Sequence, residues 1–525
     1  MEIKKQILKS CMQKGFLLDK EILEFLSSFE ENFSLKLIDF LSNLKIKERV
    51  ITKSIFFESS EKIRLLLFSK KEQELFDVLL TKLGFSSQEH KEVETIIKPK
   101  ESGIKILSSS LVSPKKIDVQ DFVKHFRARY EQLKNILQER NLENLKSLRR
   151  ISEERETQHV IVLILQKRVT KNKNLIFEVE DNTGRSKVLV NGKKPDLYEK
   201  CKNILVDEVV AFNVSGTKEM LFANDAIFPD AYIAEKRKTD KDVCIAFTSD
   251  VHVGSKMFLE ENFLKFIKWL NGEEGTEEHK AMAKKIKYLF LVGDNIDGIG
   301  VFPDQERLLK IPEVTLQYKK LAEYLKLIRK DIKIIISPGQ HDAVWVGEPQ
   351  PSIGENWASD LHKMENVLLV TNPCLMELEE GFKVLVYHGA SYHGIVEEIP
   401  DLRLKYKLNY PTLITKEVLK RRHLAPMHGE CDYVPFENKD PLVIDIVPDI
   451  FVTGDLHRSE VSSYNNILLV SGSCWESITP FEEKVGNNPD PCKVPIFNLK
   501  TREVKILDFS TVKEENKLEV GKNGN

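Results

Sequence analysis

The sequence has 525 residues, enough at about 150 residues per domain for several folded units, each able to bury its own core. With 79 basic against 81 acidic side chains the formal charge is −2, so bulk charge neither supports nor excludes a DNA partner, and any affinity has to come from local patches or bound cations. The seven cysteines (Cys11, Cys201, Cys244, Cys374, Cys431, Cys474, Cys492) form no C-x-x-C pair, which argues against a zinc ribbon or a disulfide framework and predicts reduced thiols in a cytoplasmic protein. Lys and Gln interrupt the opening MEIKKQILKSCMQKGFLL, and no apolar run approaches the ~20 residues of a membrane span, so neither a signal peptide nor a membrane segment is expected.

Residues 1–90 place apolar side chains at helical spacing (Ile22, Phe25, Leu26, Phe29, then Leu35, Leu37, Ile38, Leu41), which predicts a helical N-terminal domain. Residues 91–117, rich in Lys, Ser and Pro, cannot fill a core and read as a flexible linker. A helix follows, with Phe122, Phe126, Tyr130, Leu133 and Ile136 recurring at three and four residues. From about 155 to 237 the pattern changes to short β runs: HVIVLIL, LIFEVED, SKVLVNG, EVVAFNV and ANDAIF. Asp181-Asn182-Thr183-Gly184 closes a hairpin between two of them, and a helical insertion runs from Asp196 to Lys202. Five strands in this arrangement predict an OB-fold barrel within a unit spanning 118–237. Residues 241–510 alternate β runs with helical stretches, and the tail 511–525 is expected to be disordered. The chain is therefore expected to be multidomain α+β.

In the 241–510 region five apolar strands each end in a short polar loop: CIAFTS then Asp250-Val251-His252, YLFLVG then Asp294-Asn295-Ile296-Asp297, IKIIISPG then Gln340-His341-Asp342, KVLVY then His388, and DIFVTG then Asp455-Leu456-His457. Open α/β sheets place their ligands at the carboxyl ends of strands. Two residues apart in extended chain, Asp250 and His252 are expected to face the same side. Carboxylate oxygens mixed with imidazole nitrogens suit Mn²⁺, Mg²⁺, Fe or Zn²⁺, and the lack of thiolates speaks against a structural zinc. A lone D-x-H or G-D marks a metal site roughly one time in ten, and a lone His388 is more often a structural histidine; the ordered series within one domain is what carries weight.

The order D-x-H, G-D-x-x-D, G-N-H-D, H, G-H-x-H resembles the ligand series of the calcineurin-like metallophosphoesterases, with Gln340 where that pattern has Asn and Asp455 where it has His. The longer stretches GDNIDGIGVFPDQE, PGQHDAVWVGEPQPSI, LKRRHLAPMHGE, VPDIFVTGDLHRSEV, LLVSGSCWE and NPDPCKVPIFNL are similar, over about 241–509, to the small-subunit family of archaeal polymerase D, one of the polymerase B-subunits. The resemblance implies a C-terminal phosphoesterase domain of packed mixed sheets flanked by helices. It also implies two divalent ions ~4 Å apart, bridged by Asp294, that activate a water for attack on a phosphodiester. Asp250, His252, Asp294 and His457 would hold the first ion, and Asp294, Gln340, His388 and Asp455 the second. His341, oriented by Asp342, would act as general acid. The implied activity is a 3′ to 5′ exonuclease that proofreads a primer-template 3′ end beside a large polymerizing subunit. Asp455 in place of an imidazole favours Mn²⁺, or Mg²⁺, over zinc.

Alternatives stay open at the level of sequence, among them a free-standing phosphatase or nucleotidase, for which the linker and helical N-terminus would have no obvious use. The changes at Gln340 and Asp455 fall on one ion, so the chain could be a catalytically impaired scaffold like the eukaryotic B-subunits. The barrel aromatics Phe177, Phe212 and Phe222 could stack on single-stranded DNA or simply fill the barrel. Arg421, Arg422 and His423 are likewise candidates for DNA phosphates, or for pinning a loop.

Overall fold

The computed structural model describes residues 2–14, 17–27, 34, 37–38, 50–51, 103–109, 117–151, 156–485 and 487–510. Its contacts separate 1–100 from 101–525. In the first unit, helices Glu2–Gln13 and Lys20–Leu26 bury Ile7, Ile22 and Leu26, and β1 (Leu17–Leu18) pairs in parallel with β2 (Val50–Ile51). The rest of the helical expectation over 1–90 lies outside the described residues, as do the tail 511–525 and most of the stretch expected to be a linker.

Within that stretch, however, β3 (Lys105–Ser109) is a strand, paired antiparallel with β13 (Cys374–Glu377). The linker expectation is corrected here. Ile104 is buried and Ile106 packs on the core between the two large sheets described below, an alternation that the surrounding Lys, Ser and Pro obscured.

The helix Val119–Gln138 begins at a capping box, in which the Asp118 carboxylate accepts from the backbone of Gln120 and Asp121 while Asp121 reaches back to Asp118. Five strands follow: β4 (Gln158–Val169), β5 (Leu175–Asp181), β6 (Gly184–Val190), β7 (Val209–Thr217) and β8 (Met220–Ile227). They close into a barrel in the order β4-β5-β6-β8-β7, with β4 also pairing β7. Phe177 and Phe212 lie fully inside, their ring centroids 5.9 Å apart, so both fill the barrel; Phe222 is exposed.

The remaining strands form two six-stranded sheets. One joins β9 (Cys244–Thr248), β10 (Ile286–Val292), β11 (Lys333–Ser337) and β12 (Val367–Leu369), all parallel, to the antiparallel β18 (Lys493–Asn498) and β19 (Val504–Asp508). In the other, β14 (Lys383–Val386), β15 (Ile450–Thr453) and β17 (Ile467–Ser471) run parallel, flanked by β13, β3 and the antiparallel β16 (Glu460–Tyr464). Side chains alternate along each strand. Ile245, Phe247, Phe290, Val292, Val386 and Val452 fill the space between the sheets. Ala246, Leu289, Leu291 and Ile336 face outward onto Phe266, Trp269, Tyr318 and Leu321 of the helices Glu260–Leu270 and Val314–Leu325, and Leu385 and Phe451 onto Ile395 and Val418. Strands covered on both faces read as unbroken apolar runs, which is why IKYLFLV and KIIIS show no polar alternation.

The barrel, its lead-in helix and the second sheet are tied by buried charge. Arg129 on the helix donates to Asp440 (Nε to Oδ2, 2.6 Å), which also faces His423 Nε2 at 2.8 Å. Arg421 sits 3.2 Å from Glu208 of the barrel and 2.6 Å from Glu417, and it donates to the Asn203 carbonyl. Arg422 donates to the carbonyls of Ile444 and Asp445. All three residues of the Arg421-Arg422-His423 trio are buried, so the expectation that they meet DNA phosphates is corrected: a phosphate would have to displace carboxylates and carbonyls that already hold these donors. They pin the loop.

This cluster makes stability fall in acid. Burial raises Asp440, but Arg129 and His423 outweigh it and hold the carboxyl well below its usual range. Its contribution is therefore complete above about pH 4 and is lost as pH falls further. Burial, then Arg129, pushes His423 down to about 4. The unfolded chain takes up this proton below about pH 6.5 and the folded chain refuses it, so stability already declines from about pH 6.5. In urea unfolding at pH 7 we expect Asp440→Asn to lose about 3–5 kcal/mol. His423→Gln should flatten the decline between about pH 6.5 and 4; an unchanged slope would rule out this assignment.

Candidate metal centre at the strand ends

The carboxyl ends of β9, β10, β11, β14 and β15 converge, and each leads into one of the polar loops. The chain turns there through unusual backbone. Asp250, His252, Asp294, Asp455 and His457 all have positive φ, between 47° and 67°. Asp and His tolerate this left-handed region better than most side chains, yet it costs of order 1–3 kcal/mol per residue. The D-x-H unit is thus not extended, contrary to the expectation above. Two left-handed residues, rather than a strand pleat, bring both side chains to the same side. The loops are stitched by backbone bonds, Asp250 N–H to Gly293 O at 3.1 Å and His252 N–H to Asp294 O at 3.0 Å.

Three trios able to hold a cation result: Asp250, His252 and His457; Asp250, Asp294 and His388; and His252, Asp297 and His341. His252 Nε2 is 3.2 Å from His457 Nε2, and His457 Nε2 is 3.5 Å from Asp250 Oδ1. In the second trio His388 Nε2 is 3.2 Å from Asp294 Oδ2 and 4.0 Å from Asp250 Oδ1. Among the described residues Asp250 is the carboxylate common to the first two. Asp455 lies beside the second trio, its Oδ1 3.9 Å from His388 Nε2, and Gln340 donates its amide to that same oxygen at 3.2 Å. The two residues that depart from the superfamily pattern therefore contact each other.

Three observations fit this cluster to divalent cations. Gln340 Oε1, His388 Nε2 and Asp455 Oδ2 are buried without hydrogen-bond partners. His388 donates Nδ1–H to the Val292 carbonyl at 2.9 Å, which fixes the ring and turns Nε2 into the cluster. Glu482 faces His457 Nδ1 at 2.8 Å in the same way. The donor set is oxygen and imidazole nitrogen with no thiolate, the chemistry of Mn²⁺, Mg²⁺, Fe or Zn²⁺.

Charge accumulates here. Burial raises Asp294, but the imidazoles of His388 and His341 outweigh it and hold the carboxyl well below its usual range. Burial depresses His252, yet Glu476 and the hydrogen bond to Asp297 lift it to about 10. Protons on His252 and His388 occupy the positions a cation would take, so cation binding has to release them.

His341 is placed differently from expectation. Asp342 does not orient it: that buried carboxylate accepts from Gly339 N at 2.9 Å, from the Asn295 side chain at 3.0 Å and from the Tyr318 hydroxyl at 2.9 Å. Burial and the Asp294 charge push Asp342 up to about 6. It braces the loop. The His341 ring instead donates Nδ1–H to the Asp297 carbonyl at 2.8 Å, and Nε2 lies 3.9 Å from Asp294 Oδ2.

The family model for the B-type subunits of DNA polymerases alpha and epsilon matches residues 245–462. The DNA polymerase II small subunit of Methanothermobacter thermautotrophicus is 37% identical over 398 residues, which cover 75% of this chain and 80% of that protein. That of Methanocaldococcus jannaschii is 35% identical over 416 residues, 78% of this chain and 69% of the relative. The small subunit of Pyrococcus furiosus is 37% identical over 402 residues, 75% of this chain and 64% of its own length. The chain belongs to the DNA polymerase II small-subunit family. The resemblance read from the motifs is borne out.

Within this family member, several residues around the cluster were not singled out from sequence. Asp297 was visible only as the second aspartate of G-D-x-x-D, and its side chain meets His252 Nδ1 at 3.3 Å. Glu476 ends the motif LLVSGSCWE without being marked there as a partner of the cluster, and Glu482 lies beyond it with nothing local to mark it. Gly339 matters for a different reason: a Cβ there would lie 2.2 Å from Asp294 Oδ1 and 2.6 Å from His388 Nε2. Gly339→Ala should leave the far-ultraviolet dichroism unchanged while weakening Mn²⁺ binding at least about tenfold by calorimetry, since displaced ligands lose about 1.4 kcal/mol or more. Parental Mn²⁺ affinity in this variant would show that the second trio is not a cation site.

Proposed function

We propose that this chain is the small subunit of a two-subunit replicative DNA polymerase and carries a metal-dependent 3′ to 5′ exonuclease that acts on the primer 3′ end, beside a large polymerizing subunit. The observation that carries this reading is the pair of ligand trios joined at Asp250, with the His341 Nε2 edge at Asp294. Asp250, His252 and His457 would hold one cation; Asp294 and His388, with Asp455 and Gln340 at the margin, would hold the other. Bound there, two divalent ions would supply an activated water and neutralise charge on the phosphate. The added carboxylate of Asp455 favours Mn²⁺ or Mg²⁺.

The chain's own residues do the rest. With Nδ1 committed to the Asp297 carbonyl, His341 Nε2 is the nitrogen that can pass a proton to the leaving oxygen. Asp342, Asn295 and Tyr318 hold the loop that presents it. The five-stranded barrel, with the strand order of an OB-fold and a filled interior, serves packing and subunit docking. The domain division follows: a helical N-terminal unit, a linker that ends in β3, the barrel with its lead-in helix, and a phosphoesterase-like sandwich.

A scaffold role is the second reading, favoured by one observation: Asp455 lies outside the trios and accepts the Gln340 amide instead. Degradation of a 3′-mismatched primer in Mn²⁺ separates the two. Asp294→Ala should abolish it with partner binding intact, and His341→Ala should slow it about 10²- to 10⁴-fold without loss of Mn²⁺. A parental complex that leaves the primer whole in Mn²⁺ would decide for the scaffold.

A further inference from the structure

Beside the second trio stands an exposed imidazole that the ligand series does not account for. Asp455 divides its two oxygens. Oδ1 faces inward, toward His388 and the Gln340 amide. Oδ2 is buried and has no hydrogen-bond partner, and 3.6 Å from it stands His393 Nε2. The His393 side chain is 55% exposed whereas that of Asp455 is 13% exposed, so the imidazole sits at the mouth, with the carboxylate behind it.

The ring is carried by a seated element. His393 belongs to the short helix Tyr392–Glu398, which begins just after His388. The neighbouring Tyr392 is fully buried, shares a hydrogen bond with the Thr415 hydroxyl at 2.8 Å and donates its backbone N–H to Gly389 O at 2.9 Å. Tyr392 and Ile395 fix the helix against the core and leave His393 facing the opening. At 3.6 Å the Asp455 carboxylate attracts the ring without taking up Nε2 in a hydrogen bond, so that nitrogen stays available to a ligand.

We propose that His393 is a substrate-binding residue: standing at the mouth beside the Asp455 carboxylate, it donates a hydrogen bond to a non-bridging oxygen of the phosphate that enters beside the second trio. This rests on the phosphoesterase reading. It also gives the departure at 455 a physical use, since a carboxylate sets a negative charge between the cluster and His393, which a neutral imidazole would not.

The test uses the full chain loaded with Mn²⁺ and inorganic phosphate as the probe, with metal content measured in parallel. His393→Ala should weaken phosphate binding about ten- to a hundredfold, the loss of one charge-assisted hydrogen bond, and His393→Gln should recover part of it. Both variants should retain the parental number of Mn²⁺ ions. Unchanged phosphate affinity in His393→Ala, or no phosphate binding by the parent, overturns the proposal; so does the loss of one Mn²⁺, which would make His393 a cation ligand. If the parent degrades no primer while phosphate affinity still depends on His393, the exonuclease reading fails and the binding residue stands.

Discussion

The structure turns on one constraint: carboxylates and imidazoles from five strand ends have to meet in one small volume. Nothing in the loops alone would hold them there. Five of the side chains sit on left-handed backbone, and Asp250, Asp294 and His388 are buried. At of order 1–3 kcal/mol for each strained residue, such a cluster persists only because the two sheets over-determine the positions of their strand ends. The apolar layer between the sheets, with Phe247, Phe290, Val386 and Val452, is thus a condition of the site as much as of the fold.

The same logic explains why the conspicuous arginines are not at the surface. Arg129 and Arg421 reach from one architectural part to another, and each ends on a buried carboxylate, Asp440 or Glu208. A buried ion pair adds little net stability but makes separation of its parts costly, because each would leave an uncompensated charge. The barrel, its lead-in helix and the second sheet are therefore registered to one another by charge, and the loop that follows Arg421 is fixed as a by-product.

The two trios joined at Asp250 are not equivalent. Asp250, His252 and His457 form a compact group whose rings are oriented from behind by Asp297 and Glu482. The other shares Asp250 and takes Asp294 and His388, while Asp455 and Gln340 stand at its margin and engage each other. A carboxylate at position 455 alters both the charge of that side and what it can hold, and His393 is the group that faces it.

By itself the sequence determined the sites of the strands, the punctuation at their ends and the family, because apolar runs covered on both faces and motifs of fixed order are local properties of the chain. It also located the lead-in helix and five barrel strands within a few residues, since caps, turns and alternation are local too. Tertiary structure decided what each polar residue does. Asp342 and His341 are adjacent in sequence yet serve different neighbours, Arg421 to His423 turn inward, Ile104 and Ile106 draw an apparent linker into a sheet, and Glu482 and His393 reach the cluster from segments with no signature. Hydrogen-bond partners and burial depend on which distant chain arrives opposite a side chain, and no spacing along the sequence encodes that.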